Sequence, residues 1–150
     1  MPSIVSIAIK PAGIESRPAD RFARVAVECA TLVEGRGIAG DCKGKGDRHL
    51  NVMCRDTLDQ MQREGCRVGP GEMGEQIVLD GIIVEQLPTG ARLQLGDEAI
   101  IEVVQQRTPC SRFEQIQRTS IKKAWGRVGV MAPVNRGGAV QVGDDVRVLE

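Results

Sequence analysis

The 150-residue sequence has no tyrosine, two phenylalanines and one tryptophan, so aromatics make up 2% of the chain. That scarcity removes the ring faces on which single-stranded nucleic acids stack. Neither sign of charge is in excess. Twenty Lys and Arg balance twenty Asp and Glu, which leaves no general field to draw in nucleic acid or an anionic membrane. No apolar run approaches the roughly 20 residues of a membrane-spanning helix. The apolar stretch 4–9 has no basic region before it and no small-residue cleavage site after it, so it reads as a strand and not as a signal peptide. The five cysteines, at 29, 42, 54, 66 and 110, are odd in number and form no C-x-x-C pair. This suits free thiols in a reducing cytoplasm better than a disulfide framework.

Glycine is plentiful, with 18 residues, as expected of many tight turns between short strands. Apolar residues alternate at Val5, Ile7 and Ile9, at Val25, Val27 and Cys29, at Leu93 and Leu95, and at Val140 and Val142. Each such run predicts a strand with one buried face. Ile77 and Leu79 repeat the pattern, Ala99–Val104 reads as a buried strand, and Val146 and Val148 close the chain. Two short helices are expected. One follows Cys54, with Thr57 and Gln60 as a capping box, Leu58 and Met61 inward and Gly65 near its end. The other follows Cys110, with Ser111 and Glu114 as its box. Long helices do not alternate with the strands, so a doubly wound sheet is not expected. The expectation is one mainly β domain over residues 1–150, a barrel or sandwich with a few short helices.

Thr108-Pro109-Cys110-Ser111 carries the clearest chemical signal. Pro109 ends the preceding ladder, and Cys110 falls at a helix start between Arg107 and Arg112. Positive charge and unpaired N–H groups favour a cysteine thiolate, which is both a nucleophile and a soft metal ligand. The competing reading is a small apolar residue packed at a strand end. Cys42 is the rival thiol, beside Lys43 in a cationic loop.

That loop, 34–49, carries Arg36, Lys43, Lys45 and Arg48 among five glycines. Its backbone N–H groups and cations could hold a phosphate; a solvated glycine loop is the alternative. Gly35-Arg-Gly37-Ile-Ala-Gly40 matches a dinucleotide fingerprint but opens no helix. Gly40 to Lys45 is one residue short of a phosphate loop, and Gly46 stands where a magnesium-binding Ser or Thr belongs. Cys42, His49, Cys54 and Cys66 are spaced by six, four and eleven residues, which fits no zinc finger or ribbon. A Cys110–His49 hydrolase pair has no further signature.

The ordered set of landmarks resembles the MOSC domain, the C-terminal domain of molybdenum cofactor sulfurases. Gly35 to Asp41 resembles its Gly-Asp loop, and Arg48 with the apolar residues after it resembles its Arg-led strand. Pro70-Gly71-Glu72-Met73-Gly74-Glu75 resembles its Pro-Gly-x-x-Gly-Glu turn. Leu93–Asp97 resembles its hairpin, Pro109-Cys110 its Pro-Cys site, and Arg127-Val-Gly129, Gly138 and Gly143-Asp144 its closing strands. The family turn usually continues with Asn; here Gln76 takes that place.

The resemblance implies a closed β-barrel related to the pyruvate-kinase barrel domain. It implies binding of the molybdenum cofactor (molybdopterin), or sulfur carriage as a Cys110 persulfide. Cys110 would be the catalytic residue and metal ligand, with Arg36, Gly40, Asp41, Lys43, Lys45, Arg48, Glu75 and Gln76 at the cofactor. Expected partners are the cofactor or its biosynthesis proteins and a sulfur donor or electron-donor protein; nucleic acid and membrane are not expected, nor is the sulfurases' pyridoxal-phosphate domain. Two other functions stay open: a molybdenum-dependent reductase of N-hydroxylated compounds, and a non-catalytic binding module.

Overall fold

The computed structural model describes residues 1–13, 20–42 and 49–149. The proposed cations Lys43, Lys45 and Arg48 lie outside that range. Thirteen short strands and three helices are present among the described residues.

A six-stranded sheet runs in the order β2 (Val25–Val27), β1 (Ser3–Ile9), β6 (Ile77–Asp80), β5 (Leu50–Cys54), β10 (Val130–Ala132), β9 (Gln105–Gln106). All its pairs are antiparallel except β5 with β6. A four-stranded sheet joins β11 (Val134–Arg136), β8 (Ala99–Glu102), β7 (Arg92–Leu95) and β13 (Val146–Leu149). A third joins β12 (Gly138–Gln141), β3 (Cys29–Val33) and β4 (Gly37–Ile38).

The three sheets wrap one apolar core that takes Ile4, Leu32, Leu50, Leu93, Ile101 and Val140 from different strands. The wrap is barrel-like, but the expected closed barrel is corrected by the pairing. Among the described residues no sheet closes on itself, and β2 and β9 at the edges of the largest sheet do not pair with each other. The register breaks at Ile4/Ser6 and at Val134/Arg136. Such irregularities bend a strand and interrupt its ladder.

The period-two pattern of the central strands builds a second core on the outer face of the large sheet. In β6, Ile77 and Leu79 face the barrel core, whereas Val78 faces outward. In β5, Val52 and Cys54 face inward and Met53 outward. Helix α1 (Arg55–Arg63) seals this outer face with Leu58 and Met61, the positions three apart that share one side of a helix. Helix α2 (Ser111–Gln117) adds Phe113, which is fully buried, and a short α3 (Ile121–Ala124) adds Ala124.

Both expected capping boxes are absent. Helix α1 starts from Cys54 and α2 from Cys110, neither with a side-chain cap. Thr57 is drawn inward, its hydroxyl 3.2 Å from the Cys54 sulfur. Glu114 accepts instead from the Ile121 N–H at 3.0 Å and so ties α3 to α2. Ser120 supplies the one observed side-chain cap, to the Lys123 N–H of α3.

Candidate functional site

Cys110 stands where the large sheet meets the helix layer. After β9 the Arg107 N–H bonds the Gly129 carbonyl at 2.9 Å, which keeps the chain along the sheet edge. Gly129 itself has φ +88, and a Cβ there would collide with the Val52 carbonyl, so glycine is required for this approach. Pro109 is buried and Cys110 is exposed. Phe113 and Ile116, both buried, anchor the helix that follows.

Beneath this turn is a cluster of buried charge. Arg107 points inward. Its Nη2 donates to the Met73 carbonyl at 2.8 Å and its Nη1 to the Val128 carbonyl at 3.4 Å. Burial pushes its pKa down to about 10, while the charges of Glu75 and Cys110 act against that fall. Glu75 is fully buried and accepts the N–H groups of Gly71 at 2.8 Å and Met73 at 3.0 Å. Burial pushes its carboxyl above the ordinary range, against those bonds and the Arg107 charge, which pull it down. The carboxyl thus folds the Pro70–Glu75 turn around itself, and that turn offers its Met73 carbonyl to Arg107.

The second half of the cluster is centred on Asp41. One carboxylate oxygen accepts from Gln76 Nε2 at 2.6 Å; the other accepts from the Lys10 N–H at 2.8 Å and faces Arg24 at 3.4 Å. The Asp41 side chain is 2% exposed and that of Arg24 11%, so the pair is screened far less than a surface ion pair. Arg24 also donates from Nε to the Gly74 carbonyl at 3.1 Å. Burial lowers its pKa, opposed by Asp41 and Glu75. Gln76 Oε1 accepts the Asn51 N–H at 2.8 Å, so its amide bridges β5 and the Asp41 loop. The longer side chain in place of the usual Asn reaches both partners.

Asn51 Oδ1 is buried with no hydrogen-bond partner among the described residues. An unpaired buried acceptor costs about 1–3 kcal/mol, which a ligand N–H or O–H would relieve. Among the described residues no three His, Cys, Asp or Glu side chains gather to hold a metal ion. A metal here would take a soft thiolate from Cys110 and its other ligands from a bound organic group. Exposed thiol, buried cations and orphaned acceptor fit that donor set.

The structure therefore joins Asp41, Glu75 and Gln76, and Arg107 links them to Cys110. Arg36 is exposed in the β3–β4 turn, and Gly40 is exposed with φ +83. Arg112 lies over the Phe22 ring, 5.3 Å from its centroid, and donates to the Arg21 carbonyl at 3.0 Å. Cys54 and Cys66 are buried, while Cys29 and Cys42 are exposed. Burial pushes the Cys54 thiol up. The sequence reading missed Arg24 and Asn51 and took Arg107 only as flanking charge. The available signal for Arg24 was one charge inside the alternating run Phe22–Val27.

Comparison with known proteins agrees with this geometry. The family model of the MOSC domain matches residues 39–147. A search of curated protein sequences gives no match. Among solved structures, YuaD from Bacillus subtilis superposes with a TM-score of 0.77 at 16% identity, over 99% of this chain and 96% of that one. YiiM from Geobacillus stearothermophilus gives 0.74 at 20% identity, over 100% of this chain and 76% of that one. YiiM from Escherichia coli gives 0.65 at 22% identity, over 97% and 69%. The landmark order, the Pro-Cys turn and the match over residues 39–147 place this chain in the MOSC domain family, a family associated with the molybdenum cofactor.

Proposed function

We propose that this chain binds the molybdenum cofactor, with the Cys110 thiolate as the protein ligand to the metal or as the carrier of its sulfur. One observation carries the reading: the exposed Cys110 thiol, preceded by a buried proline, is near enough to the buried Arg107 guanidinium for their charges to interact, and Glu75 acts on the same guanidinium. When bound, the cofactor supplies a redox-active metal that accepts a soft sulfur ligand.

The chain's own residues have separable tasks. Arg107, held by two carbonyls, keeps positive charge under the thiolate. Glu75 fixes the turn that holds Arg107. Asn51 Oδ1 accepts a ligand N–H, and Asp41 with Gln76 braces the base of the loop. Arg36, Gly40, Lys43, Lys45 and Arg48 are assigned to binding the ligand's phosphate, on the charge and glycine content of their loop. All 150 residues act as one domain in the cytoplasm and exchange cofactor or sulfur with its biosynthesis proteins.

The test is metal and pterin analysis of protein purified from a host that makes the cofactor. The expected result is molybdenum and pterin near one each per chain. Purified protein with neither would overturn the proposal. Reduction of a hydroxylamino substrate with an added electron donor would assign the reductase role in place of sulfur carriage.

A further inference from the structure

A cavity of about 440 Å³ is lined by residues that include Arg21, Phe22, Arg24, Arg67, Gly71 and Glu72. That volume is in the range of small-molecule sites. Its Phe22 wall abuts the Cys110 site: the Phe22 ring and the Arg107 guanidinium both lie about 3 Å from the point a Cβ on Gly74 would occupy. The cavity's own chemistry is distinct.

Arg67 is held and uncompensated. Its Nη2 donates to the Asp20 carbonyl at 2.8 Å and the Ile116 carbonyl at 3.0 Å. Those two bonds fix the guanidinium plane, and no carboxylate lies within 4 Å of it among the described residues. The remaining donors of the fork are unused in the described bonds. Among the described residues Arg21 pairs with its neighbour Asp20, at 3.0 Å, and both side chains are mostly in water (59% and 79% exposed). Such a pair is weak and yields readily to a better anion. Arg24 is committed to Asp41 and Gly74 and adds charge but no clear donor. Glu72 is the opposing group. One of its oxygens accepts the Gly69 N–H at 2.7 Å, which turns that charge toward the backbone. Arg67, with no carboxylate partner among the described residues, and the weakly paired Arg21 line the cavity opposite one capped carboxylate, so its lining is cationic. A planar guanidinium fork fits the oxygens of a phosphate, and a dianion outcompetes the single carboxylate. Phe22 supplies an apolar wall for the organic part.

We infer that this cavity is a second ligand site that takes a small organic phosphate. Arg67 and Arg21 grip the phosphate and Phe22 packs against the organic portion. The inference does not rest on the role proposed for Cys110.

Titration of the ¹⁵N-labelled chain with adenosine 5′-monophosphate, glycerol phosphate, inorganic phosphate and adenosine tests it. Saturable shifts are expected at the amides of Phe22, Gly69 and Gly71. The mononucleotide binds at least tenfold more tightly than inorganic phosphate, adenosine does not bind, and glycerol phosphate separates the effect of the ring from that of the ester. Arg67→Met weakens binding tenfold or more, Arg67→Lys less, and Cys110→Ser not at all. If Arg67→Met does not fold, Arg21→Met, which removes a mostly solvated side chain, must show the same direction of loss. Shifts confined to other surfaces, adenosine binding as well as its phosphate, or full affinity in the folded Arg variant would overturn the inference. Loss of molybdenum in Cys110→Ser with phosphate binding intact separates the two proposals.

Discussion

Gly74→Ala is the substitution whose cost the geometry defines best. Gly74 has φ +81, and a Cβ there would stand 2.8 Å from Arg107 Nη2 and 3.0 Å from the Phe22 ring. A side-chain-bearing residue in this left-handed region costs about 1–2 kcal/mol. The new methyl also forces the Arg107 head off the Met73 carbonyl, its shortest bond. A hydrogen bond from a charged group contributes roughly 1.5–3 kcal/mol. Together these give a loss of about 2.5–5 kcal/mol, a large part of the roughly 5–15 kcal/mol that holds a domain folded. At about 2–4 °C per kcal/mol for a chain of this size, Tm falls by roughly 10 °C. Gly90→Ala is the control: its φ is +94, with nothing within 4 Å of the added Cβ. It suffers only the backbone strain, about 1–2 kcal/mol. Denaturant unfolding of both variants isolates the steric and electrostatic part, about 1.5–3 kcal/mol. Equal losses in the two variants would refute the claim that Gly74 is the seat on which Arg107 is held.

Three further outcomes follow from the same structure. Because burial holds the Glu75 carboxyl above its unfolded value, its contribution to stability is full below the unfolded pKa, about 4.3, and is lost as pH rises through the folded value. Glu75→Gln mimics the protonated form, so the wild-type-minus-variant stability should decline from about pH 4 upward; a difference that rises with pH in denaturant melts would contradict this. Limiting alkylation near neutral pH, read by peptide mass, should label the exposed Cys110 first, then Cys42 and Cys29, and leave buried Cys54 and Cys66 to the unfolded protein; Cys42 ahead of Cys110 would show the wrong thiol has been assigned. Phe113→Ala should cost about 3–5 kcal/mol in the same melts, since Phe113 is fully buried in the outer core that anchors α2, and a loss below about 1 kcal/mol would mean that core does not hold the Cys110 turn.

The strands were legible wherever one face of the sheet is buried and the other is wet. Leu93 and Leu95, or Val140 against its exposed neighbours, show the alternation directly. The open edges of the three sheets were not legible, because strand pairing and the register breaks at Ile4/Ser6 and Val134/Arg136 leave no mark in hydrophobic spacing. The capping boxes misled because Ser111 and Glu114 have the right spacing whether or not the chain turns there. The turn came one residue earlier, at Cys110, and Glu114 found a partner in the next helix. At the site, the Gly74-Glu75-Gln76 turn and Asp41 were readable as motifs. Their link to Arg24, Asn51 and Arg107 spans between 17 and 35 residues for the Asp41 contacts alone, and long-range pairing of that kind has no local signature.

The central claim is that Cys110 is the thiol that meets the metal. Molybdenum K-edge X-ray absorption on the loaded wild-type protein and on Cys110→Ser tests it most directly. The account predicts one sulfur neighbour fewer in the variant, or loss of the metal, with the fold unchanged. Full molybdenum content with the same sulfur count in both proteins would contradict it.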